Sequence, residues 1–170
     1  MANSVRTDVD FEEVAAKLAA LGSSDAAQNA LQAAGRKLKT LIDIGFRDGV
    51  SPEGAPWRAL SMRSGQPLVD TAVLRSSITY KTGNDESGAF LEVGTNKNYA
   101  RVHQFGAVIK PRSGQFLRFM GRNGYVFAKS VTIPARPFLP LDENEVRLPA
   151  DWSRSVVGAI NSYMTRAVQR

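Results

Sequence analysis

Cysteine is absent from the 170 residues. That excludes disulfides and thiolate metal sites, and it leaves the compartment undetermined because reduced and oxidising surroundings are both compatible with a chain lacking thiols. Histidine occurs once, at His103, so a metal site would have to be assembled from carboxylates around a single imidazole, and no cofactor is expected. No apolar run approaches the roughly 20 residues that cross a bilayer. The opening MANSVRTDVDFEEV also lacks the apolar core of a signal peptide. A soluble product of the cytoplasm with no membrane partner is the expectation. Acid is missing from one long stretch: residues 93–141 contain no Asp or Glu, yet hold Lys97, Arg101, Lys110, Arg112, Arg118, Arg122, Lys129 and Arg136. A segment of one sign projects a field that steers acidic partners, phosphates or carboxylate-rich proteins alike, unless acids from elsewhere fold beside it.

What is present reads as one domain spanning 1–170, since domains commonly run about 100–150 residues. Asp10-Phe11-Glu12-Glu13 resembles a capping box, and Phe11, Val14, Ala15, Leu18 and Leu21 follow at helical spacing. Residues 1–22 are therefore expected as an N-terminal helical extension ending at Gly22. A second helix should start near Ser23-Ser24-Asp25 and bury Ala27, Leu31, Ala34, Leu38, Leu41 and Ile42 before Gly49 stops it; its length would be roughly 35 Å. Prolines and glycines fill residues 49–67, which excludes regular structure there, and Trp57 and Leu60 are expected to pin that loop to the core. Asp70 could cap a short turn with Val73, Leu74 and Ile78 facing inward. Residues 78–81 and 90–93 alternate as the two strands of an antiparallel hairpin. Tyr99, Val102 and Phe105 suggest one or two helical turns halted by Gly106.

Beyond Gly106, residues 107–109 read as a strand and residues 116–120 and 125–128 as the arms of a hairpin around Asn123-Gly124. Its period suits aromatics inward and arginines outward. The rival is a stacking platform for bases, built from Phe116, Phe119, Tyr125 and Phe127 among cations. Prolines keep residues 133–140 out of a central strand. A closing helix follows from Asp151, with Trp152, Val156, Ile160, Tyr163 and Ala167 on one face.

Catalytic chemistry has little support in these residues. Ser76, His103 and Asp70 supply the letters of a triad without a nucleophile elbow around the serine. The glycines of GQFLRFMGRNG lack the P-loop lysine pattern. His103 is expected as a packed, hydrogen-bonded residue. No enzyme activity is expected and no catalytic, cofactor or metal residues are assigned.

Four stretches occur in order: GVSPEGAPWRALS (49–61), PLVDTAVLRSSI (67–78), VGTNKNYARVHQFG (93–106) and IPARPFL (133–139). Together they resemble the phage virion morphogenesis proteins of Mu-like phages, also described as tail completion proteins. The likeness runs from about the second helix to the last, and the pairing of VGTN…YA…HQFG with IPARPF is its specific part. Ala72 stands where the family often has glycine, and Pro140 where glycine is more usual. The resemblance implies an α+β fold, a small twisted antiparallel β-sheet packed against a long N-terminal helix and a C-terminal helix. It implies a structural virion protein of the neck, assembled in the host cytoplasm and needed for head–tail joining. Its implied partners are copies of itself in a ring, commonly sixfold, the adjacent connector, head-completion and tail-terminator proteins, and DNA in the channel. Trp57, Gly94, Tyr99, His103, Gln104, Phe105, Gly106, Arg136, Pro137 and Phe138 would be the motif residues that hold shape. Gly94 and Gly106 are expected to take backbone geometry that a Cβ would strain. Arg112, Arg118, Arg122 and Lys129, on a basic hairpin protruding over 110–130, would meet a partner. The competing readings are a basic DNA-binding module and a small hydrolase dependent on His103.

Overall fold

A computed structural model describes residues 4–6, 24–61, 64–86, 88–121, 123–142 and 146–168. The chain's architecture is set by one helix, α1 (Ser24–Asp48), whose apolar residues recur every three or four positions. Ala30, Leu31, Ala34, Leu38, Ile42 and Phe46 are all buried as a result. Gly49 ends it in a left-handed turn, with φ 71° and its N–H donated to the Gly45 carbonyl at 2.8 Å. The Gln66 side chain then donates to the last carbonyls, Phe46 O at 2.5 Å and Arg47 O at 3.0 Å.

α1 packs on two layers. One is α4 (Ala150–Val168), which buries Trp152, Val156 and Ile160 against it; Ala167, expected on the same face, is exposed. The other is a three-stranded antiparallel sheet in the order β1-β3-β2, from β1 (Ser4–Arg6), β2 (Thr79–Asp85) and β3 (Gly88–Gly94). The small inner face of α1 permits this approach: a Cβ on Gly35 would overlap the Tyr80 ring of β2. Two helices on small antiparallel sheets make the α+β class expected. The β2–β3 hairpin is longer than its alternation suggested, since Asp85 still pairs with Gly88 and the turn is correspondingly short. β1 had no sequence signal of its own. Of the helical extension expected over residues 1–22, Ser4–Arg6 are instead the strand β1, held by pairing with β3, and the rest lies outside the described residues.

Residues 73–76 form a single turn, α2 (Val73–Ser76), without the cap expected of Asp70. Its N-cap position is held by Ala72, and no side chain caps it. Leu74 and Ile78 are buried as expected, but Val73 points outward. The chain then runs through β2, β3 and α3 (Ala100–Phe105) into two further strand pairs. β4 (Ala107–Ile109) pairs antiparallel with β7 (Val131–Ile133), and β5 (Leu117–Gly121) pairs with β6 (Gly124–Ala128). The β5–β6 hairpin makes no more than marginal contact with any other described helix or strand.

Candidate functional site: a motif junction and an exposed arm

The four sequence signatures meet in one place. Trp57, from the first, is buried, with its indole N–H donated to the Pro137 carbonyl at 2.7 Å. Its ring meets Phe46 edge-on at 5.5 Å between centroids, and Phe138 lies 5.4 Å from the same Phe46. The loop behind it folds back on itself, with the Trp57 N–H on Gly49 O at 2.8 Å and the Ser51 N–H on Ala55 O at 2.8 Å. Trp57 is thus the pin expected of it. Ser77, from the second signature, shares a 2.6 Å hydroxyl hydrogen bond with Thr95 from the third.

Gln104 is the centre of the junction. Its amide nitrogen donates to the carbonyls of Leu139 and Leu141, both at 2.9 Å. Its oxygen accepts the N–H groups of Phe138 and Leu139, both at 3.0 Å. One buried side chain thereby satisfies the backbone of a proline-bearing segment that cannot join a sheet ladder. Arg136 is buried too. Its Nε donates to Arg58 O at 2.8 Å, a second guanidinium N–H reaches Ala59 O at 3.3 Å, and its backbone N–H reaches His103 O at 2.7 Å. Its role here is to tie the first signature to the fourth.

Gly106, next to α3, has φ 76° and ψ 168°, a combination open almost only to glycine. A Cβ there would stand 2.9 Å from Ala135 N and 3.0 Å from Ile133 O. Gly94 differs from expectation: it ends β3 as an extended position paired with Thr79 and Ser4. The backbone demand expected of both glycines rests at Gly106. Phe105 is half-buried, with the Arg101 guanidinium 5.5 Å above its ring.

A cavity of about 310 Å³ opens at this junction. All four signatures line it: Leu60; Leu68, Asp70, Thr71, Ala72, Val73 and Leu74; Tyr99 and His103; and Arg136. Leu68 (φ 61°) and Ala72 (φ 57°) hold left-handed backbone in its wall. Such a conformation is uncommon outside glycine. His103 meets Tyr99 edge-on at 6.0 Å between centroids, and its Nδ1 is buried without a hydrogen-bond partner among the described residues. Burial pushes its imidazole below the ordinary value, and the Arg136 guanidinium pushes the same way. The imidazole is therefore held toward its neutral form. Of the triad letters, Asp70 and His103 share the cavity wall, while Ser76 Oγ is turned back to the Val73 carbonyl at 3.2 Å. Among the described residues no three His, Asp or Glu side chains gather as a metal site, and no helix is long and apolar enough to cross a membrane.

The second feature is the β5–β6 hairpin. Arg112 and Lys129 are exposed at its base and Arg118 on its surface; Arg122 lies outside the described residues. Its orientation follows the expected one in β5, where Arg118 is outward and Phe119 half-buried, and departs from it at Phe116 and in β6, where Tyr125 and Phe127 are outward. Leu117, Phe119, Val126 and Ala128 form the half-buried face, while Met120 and Phe127 (each 64% exposed) and Tyr125 (58%) stand outward beside Arg118. The Arg118 guanidinium sits 3.9 Å over the Tyr125 ring, a cation–π stack that fixes this face as a unit. The periodicity was legible in the sequence. Which face of β6 turned outward was not, because alternation gives the period of a strand and not which of its two faces is covered.

Comparison with known proteins bears on both features. The model of the phage virion morphogenesis family matches residues 9–158, a span that includes the junction and the arm. The Mu-like prophage FluMu G protein 2 of Haemophilus influenzae is 41% identical over 93 residues, 53% of this chain and 53% of that protein, so the match spans about half the length of the curated relative. No solved structure matches.

Proposed function

Because the chain belongs to the phage virion morphogenesis family, we propose that it completes the tail of a Mu-like phage and joins it to the head, acting as a ring of identical subunits. Family membership supports a structural role in the virion, by assembly rather than by catalysis. The observation that carries the finer reading is the division of labour in the molecule. A junction in which Gln104 spends both ends of its amide on the 138–141 backbone fixes the fold, and an arm with large apolar side chains and cations in solvent is left over for contacts. In this reading Arg112, Arg118, Arg122 and Lys129 meet an adjacent virion protein, a neighbouring copy of this chain included, or DNA in the channel of a sixfold ring.

Binding of duplex DNA accounts for the cations alone. It leaves Met120, Tyr125 and Phe127 unexplained, whereas aromatic residues, Met and Arg are the types enriched at the centres of protein interfaces. Steeply salt-dependent affinity of the purified protein for free duplex would favour that alternative.

The deciding experiment is electron microscopy of particles made without this gene product. Full heads and separate tails, or tails with abnormal ends, are the expected result. Normal joined particles would overturn the reading. Charge reversal at Arg112, Arg118, Arg122 and Lys129 together should reduce infectivity and joining in the same assay.

A further inference from the structure

We propose that the outer face of the β5–β6 arm docks on the acid-bearing body of a second copy of this chain, so that the arm is the head-to-tail joint between subunits. The inference rests on the ring reading and adds which surface closes the ring.

The face is contiguous. Cross-strand register sets Arg118 opposite Phe127 and Met120 opposite Tyr125, four side chains on one side of a two-stranded sheet, with Phe116 adjoining. Of the nine large hydrophobic residues exposed among the described residues, six fall between Val108 and Phe127. Side chains this size, clustered and uncovered, mark an interaction site more often than free surface. An isolated two-stranded hairpin is also marginal in water. The arm gains stability when a partner covers it.

Charge selects the occupant. Residues 93–141 carry eight cations and no acid, while the rest of the chain carries fourteen cations and all sixteen acids. Residues 93–141 are thus +8 and the remainder −2, which together give the +6 of the whole chain, and five of the eight cations, Lys110, Arg112, Arg118, Arg122 and Lys129, fall in the arm and its base. Two arms facing each other across a twofold axis would oppose like charges. An arm laid on the body of the next copy would meet the acids instead, among them exposed Glu53, Glu86 and Asp151. Contact between two different patches is the heterologous geometry that builds rings when its rotation closes. Duplex DNA would satisfy the cations but would gain nothing from covering Met120 and Phe127.

Site-specific photo-crosslinking in the full chain tests this. Phe127→p-benzoylphenylalanine is introduced and illuminated in two samples: purified protein at high concentration and lysate with particles assembling. The expected product migrates at twice the 18.5 kDa subunit mass, and its peptide map joins residue 127 to a peptide outside residues 93–141. Such an adduct in either sample supports the proposal. Adducts only to another virion protein, only to nucleic acid, only to the arm of another copy, or none in both samples would overturn it. Tyr125→Ser with Phe127→Ser should abolish the homo-adduct from a crosslinker placed at Met120 while leaving the melting temperature unchanged. Persistence of that adduct would also count against the proposal. The two readings fail separately. Loss of the neck role appears as normal particles without the protein, whereas failure of this joint appears as particles that need the protein but crosslink it only to others.

Discussion

The junction around Gln104 and the β5–β6 arm follow opposite rules. At the junction buried polar side chains bond the backbone, with His103 Nδ1 the exception: Gln104 uses both ends of its amide on the 138–141 backbone, and Arg136 and Trp57 hold carbonyls from across the chain. In the arm apolar groups are exposed and have little to pack on. The first arrangement stabilises a single chain, because a buried polar network is favourable only when its members are satisfied. The second contributes little to a single chain. Its residues acquire value only when something covers them, so a substitution should be sorted by where it is read: junction changes in unfolding, arm changes in assembly.

The largest effect is expected at Gln104. Gln104→Leu strips both ends of the network and leaves the Phe138 and Leu139 N–H groups buried without acceptors, which should cost on the order of 3–4 kcal/mol. Chemical denaturation measures it, and a loss below about 1 kcal/mol would mean that water replaces the side chain and that the junction is not the anchor. Gly106→Ala comes next. Its backbone stands at φ 76° and ψ 168°, and an added Cβ would lie within 3.0 Å of two backbone atoms of the 133–135 segment. That segment must move, at a cost of about 2 kcal/mol or more. An unchanged melting temperature would show that the two segments separate freely.

The parts of this molecule legible in its sequence are those governed by period. The 25-residue α1 and the closing helix came from apolar spacing, both hairpins from alternation, and the end of α1 from Gly49. What periodicity cannot supply is pairing at long range. Gln104 stood among the motif residues, but its four bonds join positions 34 to 37 residues away, and no local pattern names them. The same holds for Arg136 on Arg58 and Ala59, nearly 80 residues back. Convergence of the four signatures was the available signal. Stretches dense in Gly, Pro and single polar residues, spaced along a chain, are where irregular backbone must be satisfied by side chains.

A smaller effect separates the cavity wall from the junction it adjoins. Ala72 holds φ 57° without a capping side chain beside it. Glycine adopts that conformation freely, so Ala72→Gly should stabilise the chain by about 0.5–1 kcal/mol after the added freedom of the unfolded state is counted. Differential scanning calorimetry reads the shift, and a fall in melting temperature would show that the Ala72 methyl packs to better purpose than its backbone suggests.

His103 should give a slope rather than a step. The folded imidazole holds its proton less tightly than an ordinary one, through burial first and Arg136 second. As pH falls through about 6.5, the unfolded chain therefore takes up more protons than the folded chain. Stability is fully present above that value and declines as pH drops toward the depressed folded value. With one histidine in the chain, His103→Gln should flatten the denaturation midpoint across that window. The same slope in the variant would assign it to other groups.

The smallest expected effect is the one on which the comparison turns. Met120→Ser with Phe127→Ser removes two large side chains that are each about two-thirds exposed, on a hairpin in no more than marginal contact with other elements. In a packed core such truncations cost several kcal/mol together; on an unpartnered face the loss should stay within about 0.5 kcal/mol. Global unfolding of the purified subunit is the proper measurement, because fraying of the hairpin alone would not move the cooperative transition carried by α1 and α4. A loss of about 2 kcal/mol, the scale of a buried truncation, would mean that the arm folds back on the body in solution. A neutral result in the subunit, joined to failed assembly, would separate the two regions as the residues that make the fold and the residues that use it.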